Sequence, residues 1–89
     1  MASVRLDTML RDYVPRLSLA SDMGTIRGVL ADLEAQFPRL RLRLRDEAGA
    51  LRKFVRVYVN GEDISALRGL ETKVREDDHI EILHSIQGG

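Results

Sequence analysis

Alternating apolar and polar residues near the N-terminus predict two β-strands. Over residues 4–10 the apolar side chains fall mainly on even positions, as expected for a strand with one buried face. Leu17 and Leu19, separated by a serine, predict a second short strand. Residues 11–15 form a connection of hairpin length, so we expect the two strands to pair antiparallel.

The strongest strand pattern covers residues 54–59, where three valines face one way and two aromatic residues and an arginine face the other. Asn60-Gly61 follows at once and predicts a tight turn, because both residue types tolerate positive φ. Residues 70–74 predict another short strand. Residues 79–86 predict the last strand, with its first two isoleucines on the core face.

One amphipathic helix is predicted between these strands. Thr25 is a suitable N-cap, because its hydroxyl can accept a hydrogen bond from a backbone N–H of the first turn. Pro38 is expected to end the helix, since the residue before a proline is disfavoured in helical conformation. The apolar stripe recurs at helical spacing and consists of Ile26, Val29, Leu30, Leu33 and Phe37.

Residues 39–45 are ambiguous. Leucines alternate with arginines there, as in a strand, yet Leu40 and Leu44 would also share one face of a helix. Residues 46–49 predict a loop in either case. Strands arranged around one helix predict an α+β fold in which the helix covers one face of a mixed sheet.

Composition narrows the classes of function. The chain has 89 residues, enough for one domain, of which 44% are hydrophobic. So small a domain has little room for a deep active-site cavity, which argues against a self-contained enzyme. Fourteen basic residues balance fourteen acidic ones, so charge indicates neither a nucleic acid nor a membrane partner. With no signal-peptide pattern at the N-terminus, we expect a cytoplasmic protein.

The chain contains no cysteine, which excludes disulfides, thiolate nucleophiles and cysteine metal sites. The two histidines, His79 and His84, are five residues apart on one predicted strand and therefore lie on opposite faces. We expect no metal site, and we interpret both as surface histidines. A contact between His84 and a partner protein is the alternative.

Two groups of residues are candidates for partner binding. An apolar patch for a partner could consist of Phe54, Tyr58, Leu83 and Ile86, of which Ile86 is the best candidate because it lies next to the tail; a place in the core is the alternative. A basic cluster could contact RNA phosphates or an acidic protein surface, but a solvated loop is the simpler interpretation. It consists of Arg39, Arg41, Arg43, Arg45, Arg52 and Lys53.

Several segments together resemble one family. They are residues 25–34, the stretch FVRVYVNGEDI at 54–64, the stretch IEIL at 80–83 and the terminal pair Gly88-Gly89. In this order they resemble the MoaD/ThiS sulfur carriers, and most closely the CysO-type and longer MoaD-like members. The chain departs from the family pattern at His84-Ser85 and at Gln87, beside the tail.

The resemblance implies a ubiquitin-like β-grasp fold. The expected architecture is a mixed sheet of four to five strands packed on one main helix, with a flexible C-terminal tail. The domain would cover residues 1–86 and the tail residues 87–89. The family pattern also implies that residues 39–45 are helix and loop.

The resemblance implies that Gly89 carries the reacting group. An adenylating enzyme of the ubiquitin-activating type would use ATP to activate the Gly89 carboxylate, and sulfur transfer would then give a thiocarboxylate. Gly88 and Gln87 would complete the tail, and glycine suits a narrow channel because it has no Cβ. A second enzyme would accept the sulfur. The domain itself would be a non-catalytic monomer that binds no cofactor.

Two other functions remain open from the sequence. A ubiquitin-like modifier would be joined through Gly89 to a lysine of another protein. A non-covalent binding module would use the β-grasp surface, and its tail would be incidental. Deleting the two terminal glycines separates these possibilities, because only the binding module would keep its function.

Overall fold

A computed structural model describes residues 1–84 of the chain. In this part the regular structure consists of five strands and two helices. In chain order they are β1 (Ala2–Leu6), β2 (Ser18–Ser21), α1 (Ile26–Gln36), α2 (Pro38–Leu44), β3 (Val55–Val59), β4 (Glu62–Asp63) and β5 (His79–His84). The predicted last strand is therefore confirmed to residue 84, and its two further predicted residues lie outside the described part.

The five strands form one mixed sheet in the order β2-β1-β5-β3-β4. The first and last strands of the chain, β1 and β5, lie side by side and parallel. All other neighbouring strands are antiparallel, including the predicted pair of β1 and β2. The helices cover one face of the sheet, which confirms the predicted α+β, β-grasp architecture. No helix within residues 1–84 is long and apolar enough to cross a membrane.

Helix α1 forms as its sequence predicts. Thr25 Oγ1 accepts a hydrogen bond from the Gly28 N–H at 3.1 Å, which satisfies one free donor of the first turn. The apolar stripe faces the sheet, and its first four residues have no exposed surface. Burying each such side chain contributes about 1.5–3 kcal/mol to folding. The helix ends at Gln36, two residues before the proline.

The chain then begins a second, shorter helix beside the main helix α1. Pro38 is the first residue of α2, where its missing N–H costs nothing because that position has no helical acceptor. Leu40 and Leu44 are fully buried. The helical interpretation of residues 39–45 is thus correct, as the family resemblance implied.

Two predicted strands were placed wrongly. The N-terminal strand starts at Ala2 and stops at Leu6, because the Asp7 carboxylate accepts the Met9 N–H at 3.0 Å and starts a 3₁₀ turn. That turn still buries Leu10, which is why the alternation looked unbroken. Residues 70–74 are not a strand. A 3₁₀ turn covers Gly69–Glu71, and the only ladder contact of this segment within residues 1–84 is a single bridge from Lys73 to α1's cap.

The β3–β4 turn confirms the prediction from Asn60-Gly61. Their φ angles are +51° and +86°, as the tightest hairpin turns require. This turn follows the far end of β3, and the near end, Val55, pairs with His84 at the end of β5.

Candidate functional site

The candidate site is the end of β5, from which the chain continues to the predicted tail at residues 87–89; we call this point the root of the tail. His84 is the last residue of β5 and the last that the structure describes. Four predicted site residues, Ile86, Gln87, Gly88 and Gly89, lie outside the described residues. The chain continues for five residues after His84, and five residues span at most about 18 Å when fully extended. Any reaction at Gly89 therefore takes place near this end of the sheet.

His84 is buried, so the prediction of a surface histidine was wrong. Its exposed fraction is 5%, because even-numbered residues of β5 face the core. Its backbone N–H donates to Asp7 Oδ2 at 2.9 Å. Its ring packs against Phe54 in an edge-to-face arrangement, with 4.6 Å between ring centres. The root of the tail is therefore held by both backbone and side-chain contacts.

The His84 ring is neutral in this environment. Arg43 Nη2 lies 3.3 Å from His84 Nε2. A guanidinium can only donate, so Nε2 accepts and the ring proton is assigned to Nδ1. Burial lowers the pKa of His84, and the positive charge of Arg43 lowers it further. Within residues 1–84, His84 Nδ1 has no hydrogen-bond partner.

The Asp7 carboxylate, just after β1, also holds the end of β5 in place. The backbone N–H groups of His84 and Met9 donate to its carboxylate, and they lower its pKa by stabilising the charged form. One side chain thus ends β1 and holds the last residue of β5. Sequence reasoning missed this role, although an Asx turn signal was present in Asp7-Thr8-Met9.

The basic cluster is part of a helix and its neighbouring loop, and its members differ in environment. Arg45 is buried and donates to Glu34 Oε2 at 3.0 Å, so the interpretation of a solvated loop was wrong for this residue. Arg39 and Arg43 lie on one side of α2, with guanidinium carbons 5.3 and 5.6 Å from the centre of the Tyr13 ring. Tyr13 was not among the predicted site residues.

Of the three predicted partner-contact residues with ring side chains, Phe54, Tyr58 and His84, the structure brings Phe54 and His84 together. Phe54 contacts His84, whereas Tyr58 lies four residues further along β3, a rise of about 13 Å. Tyr58 pairs with Glu81 and Asp63 on the sheet. It therefore does not belong to the tail root.

His79 lies on the exposed face of the sheet, which confirms that the two histidines face opposite ways. Its Nδ1 lies 2.6 Å from Ser3 Oγ, beside an open groove of about 620 Å³. In residues 1–84 no carboxylate accepts a hydrogen bond from this imidazole, so the pair is not a catalytic triad. The same part of the chain contains no cluster of three acidic or histidine side chains placed to hold a metal ion.

Comparison with known proteins identifies the family. The model of the ThiS family matches residues 4–89. The sulfur carrier protein CysO of Mycobacterium tuberculosis is 34% identical over 90 aligned residues, which cover 98% of this chain and 97% of CysO. Two solved structures are also similar in sequence and fold. A chain of the Amycolatopsis orientalis BexX/CysO complex is 31% identical, with a TM-score of 0.88 and full coverage of both chains.

The second structure is the small archaeal modifier protein 1 of Methanosarcina acetivorans. It is 26% identical to this chain, with a TM-score of 0.88, and the alignment covers 99% of this chain and 95% of that protein. The likeness thus extends over the whole domain and includes the tail residues matched by the family model. The chain belongs to the ThiS family, as the resemblance in its sequence predicted.

Proposed function

We propose that this protein is a cytoplasmic sulfur carrier whose Gly89 carboxylate is converted to a thiocarboxylate by a partner enzyme. The observation that carries the proposal is the 34% identity to the sulfur carrier CysO over nearly the whole length of both chains. The match of the ThiS family model up to residue 89 supports it further, because it includes the terminal glycine pair.

The chemistry follows from the reactivity of a carboxylate. A carboxylate oxygen of Gly89 attacks the α-phosphorus of ATP, and pyrophosphate leaves. The resulting acyl-adenylate is electrophilic, because AMP is a good leaving group. Sulfide (HS⁻) attacks the carbonyl carbon, forms the C–S bond and expels AMP, which leaves a thiocarboxylate on the terminus. The domain contributes recognition and a tail of suitable length, and ATP binds to the partner.

Sulfur is then passed to a second, biosynthetic enzyme. The sequence allowed several pathways, including the synthesis of molybdopterin, cysteine and other sulfur metabolites. Cysteine biosynthesis fits the likeness to CysO best. Free carrier is expected to be monomeric, so that one tail enters one active site at a time.

The test is intact mass spectrometry of the protein after incubation with an adenylating enzyme, ATP and a sulfide source. We expect a mass gain equal to the replacement of one oxygen by sulfur. The matched control lacks only Gly89 and should show no gain. If an enzyme that is active on its own carrier never changes the mass of this chain, the carrier proposal fails. Conjugates to lysines of other proteins, seen instead of the thiocarboxylate, would indicate a protein modifier.

A further inference from the structure

Two cationic side chains, Arg43 and Arg52, lie near His84, and Arg39 lies one helical turn from Arg43. The guanidinium carbons of Arg39 and Arg43 lie 5.3 and 5.6 Å from the centre of the Tyr13 ring, and Arg43 also contacts the His84 imidazole. Arg52 is close enough for its charge to act on His84, and its Nε donates to the Leu42 carbonyl at 3.1 Å. We call Arg39, Arg43 and Arg52, with Tyr13 beside the first two, the arginine face.

The charge of this face is not compensated within residues 1–84. Other arginines of the same region have carboxylate partners: Arg41 and Arg45 both pair with Glu34. No ion pair in the described part of the chain includes a residue of the arginine face. Asp7, the carboxylate beside His84, already accepts hydrogen bonds from two backbone N–H groups and is not paired with an arginine.

The geometry of the face is preorganised for an anionic group. Arg39 and Arg43 are four residues apart on α2, so their guanidinium groups are neighbours on one side of the helix and repel each other, and cation–π attraction from Tyr13 offsets only part of that repulsion. A carboxylate bound on this side of α2 would relieve the repulsion. Because the tyrosine already limits the motion of these side chains, less conformational entropy would be lost on binding.

The position of the arginine face indicates which partner binds it. The chain beyond His84 reaches at most about 18 Å, so an enzyme that takes Gly89 into its active site must also cover the rim around His84. The arginine face lies on that rim. An RNA partner is less favoured, because the chain as a whole has equal numbers of basic and acidic residues.

We propose that the arginine face docks on an acidic patch of the adenylating enzyme, beside the channel that receives the tail. The inference rests on the proposed function, since it is the activation of Gly89 that brings the enzyme to this rim. The face acts in recognition and leaves the chemistry at the carboxylate unchanged. Complementary charge raises the rate of productive encounter, so its loss weakens capture of the carrier without slowing the bound complex.

The experiment measures pyrophosphate release by the adenylating enzyme as the carrier concentration is varied. Arg39→Gln is the main variant, because Arg39 is exposed and does not contact His84. We expect KM for the carrier to rise about three- to fivefold with kcat unchanged, as for the loss of one partly exposed interfacial ion pair. Adding Arg43→Gln should raise KM further. Higher salt should raise KM for the wild type more than for the double variant.

The matched control is Arg75→Gln, an exposed arginine four residues before β5, whose first residue lies about 17 Å from His84 along the strand. Its KM should equal that of the wild type. An unchanged KM for Arg39→Gln, or an equal rise for both variants, overturns the docking proposal. The docking proposal is also overturned if Arg39→Gln binds a structured RNA more weakly than the wild type while its adenylation kinetics are unchanged. If the wild-type chain is not adenylated at all, the proposed function itself has failed, which is a separate result.

Discussion

The ion pair between Glu34 on α1 and Arg45 after α2 offers a sharp test of what holds the second helix in place. The Glu34 side chain is 6% exposed and that of Arg45 9%. Arg45 Nε donates to Glu34 at 3.0 Å, and Arg45 Nη1 donates to the Gly49 carbonyl at 2.9 Å. Glu34→Gln keeps the size of the side chain and removes its charge, so the buried guanidinium is left with neutral acceptors only.

The expected loss of stability is large for this domain. Breaking a buried ion pair by changing one partner costs about 3–5 kcal/mol, and we expect about 3 kcal/mol because glutamine still offers an acceptor. A domain of this length is stable by about 4–13 kcal/mol. The melting temperature should therefore fall by about 12–24 °C.

Urea unfolding followed by far-UV circular dichroism is the suitable assay, because the chain has no tryptophan for fluorescence. The matched control is Arg41→Gln, which removes an exposed arginine 3.7 Å from the same carboxylate and should cost less than about 1 kcal/mol. The double variant Glu34→Leu/Arg45→Leu should recover most of the loss. If Glu34→Gln costs no more than Arg41→Gln, the ion pair does not stabilise the packing of α2.

Further predictions concern pH and backbone conformation. The pKa of His84 in the folded protein lies below 6.5, so on acidification the unfolded chain takes up a proton before the folded one does, and the free energy of unfolding should fall as pH drops through about 6.5. Denaturant titrations at several pH values should show this fall in the wild type and not in His84→Phe. Asp7 has a lowered pKa, so its contribution is complete above about pH 4 and is lost below it; Asp7→Asn should be less stable at pH 7 and less sensitive to acid, and equal acid sensitivity would contradict this. Gly61→Ala should cost about 1–2 kcal/mol because residue 61 has φ of +86°. Its control, Gly24→Ala, meets no atom within 4 Å and should be nearly neutral in the same unfolding assay.

The elements that the sequence predicted correctly are those whose pattern admits one explanation. The stripe of α1 has helical spacing with an N-cap before it, and the three valines of β3 are followed by a turn dipeptide. Residues 39–45 satisfied both strand and helix patterns, and only the packing of Leu40 and Leu44 decides between them. Asp7 ended the first strand early because a local side-chain hydrogen bond competes with the ladder.

The contacts around His84, at the root of the tail, could not be predicted from the sequence pattern. Arg43 and His84 are 41 residues apart in the chain, and Asp7 and His84 are 77 apart. Contacts of this kind depend on the strand order, which places β5 between β1 and β3. Local periodicity predicts which face of a strand is buried, yet it does not say which side chains from distant segments meet there. The alternation implied opposite faces for the two histidines and placed His84 on the same face as Ile80 and Ile82, which its interpretation as a surface histidine overlooked.

The central position of β5 has a mechanical consequence. Hydrogen bonds join this strand to β1 on one side and to β3 on the other, and the chain leaves its end as the tail. A force applied at the C-terminal end of β5 acts along the strand. Both sets of hydrogen bonds, to β1 and to β3, resist it in shear and must break together, not one bond at a time. Since β1 is parallel to β5, a force that separates the two chain ends also shears their common ladder. The sheet can therefore bear a force applied to the chain beyond His84 while the domain stays folded, which is what the proposed reaction at Gly89 requires of it.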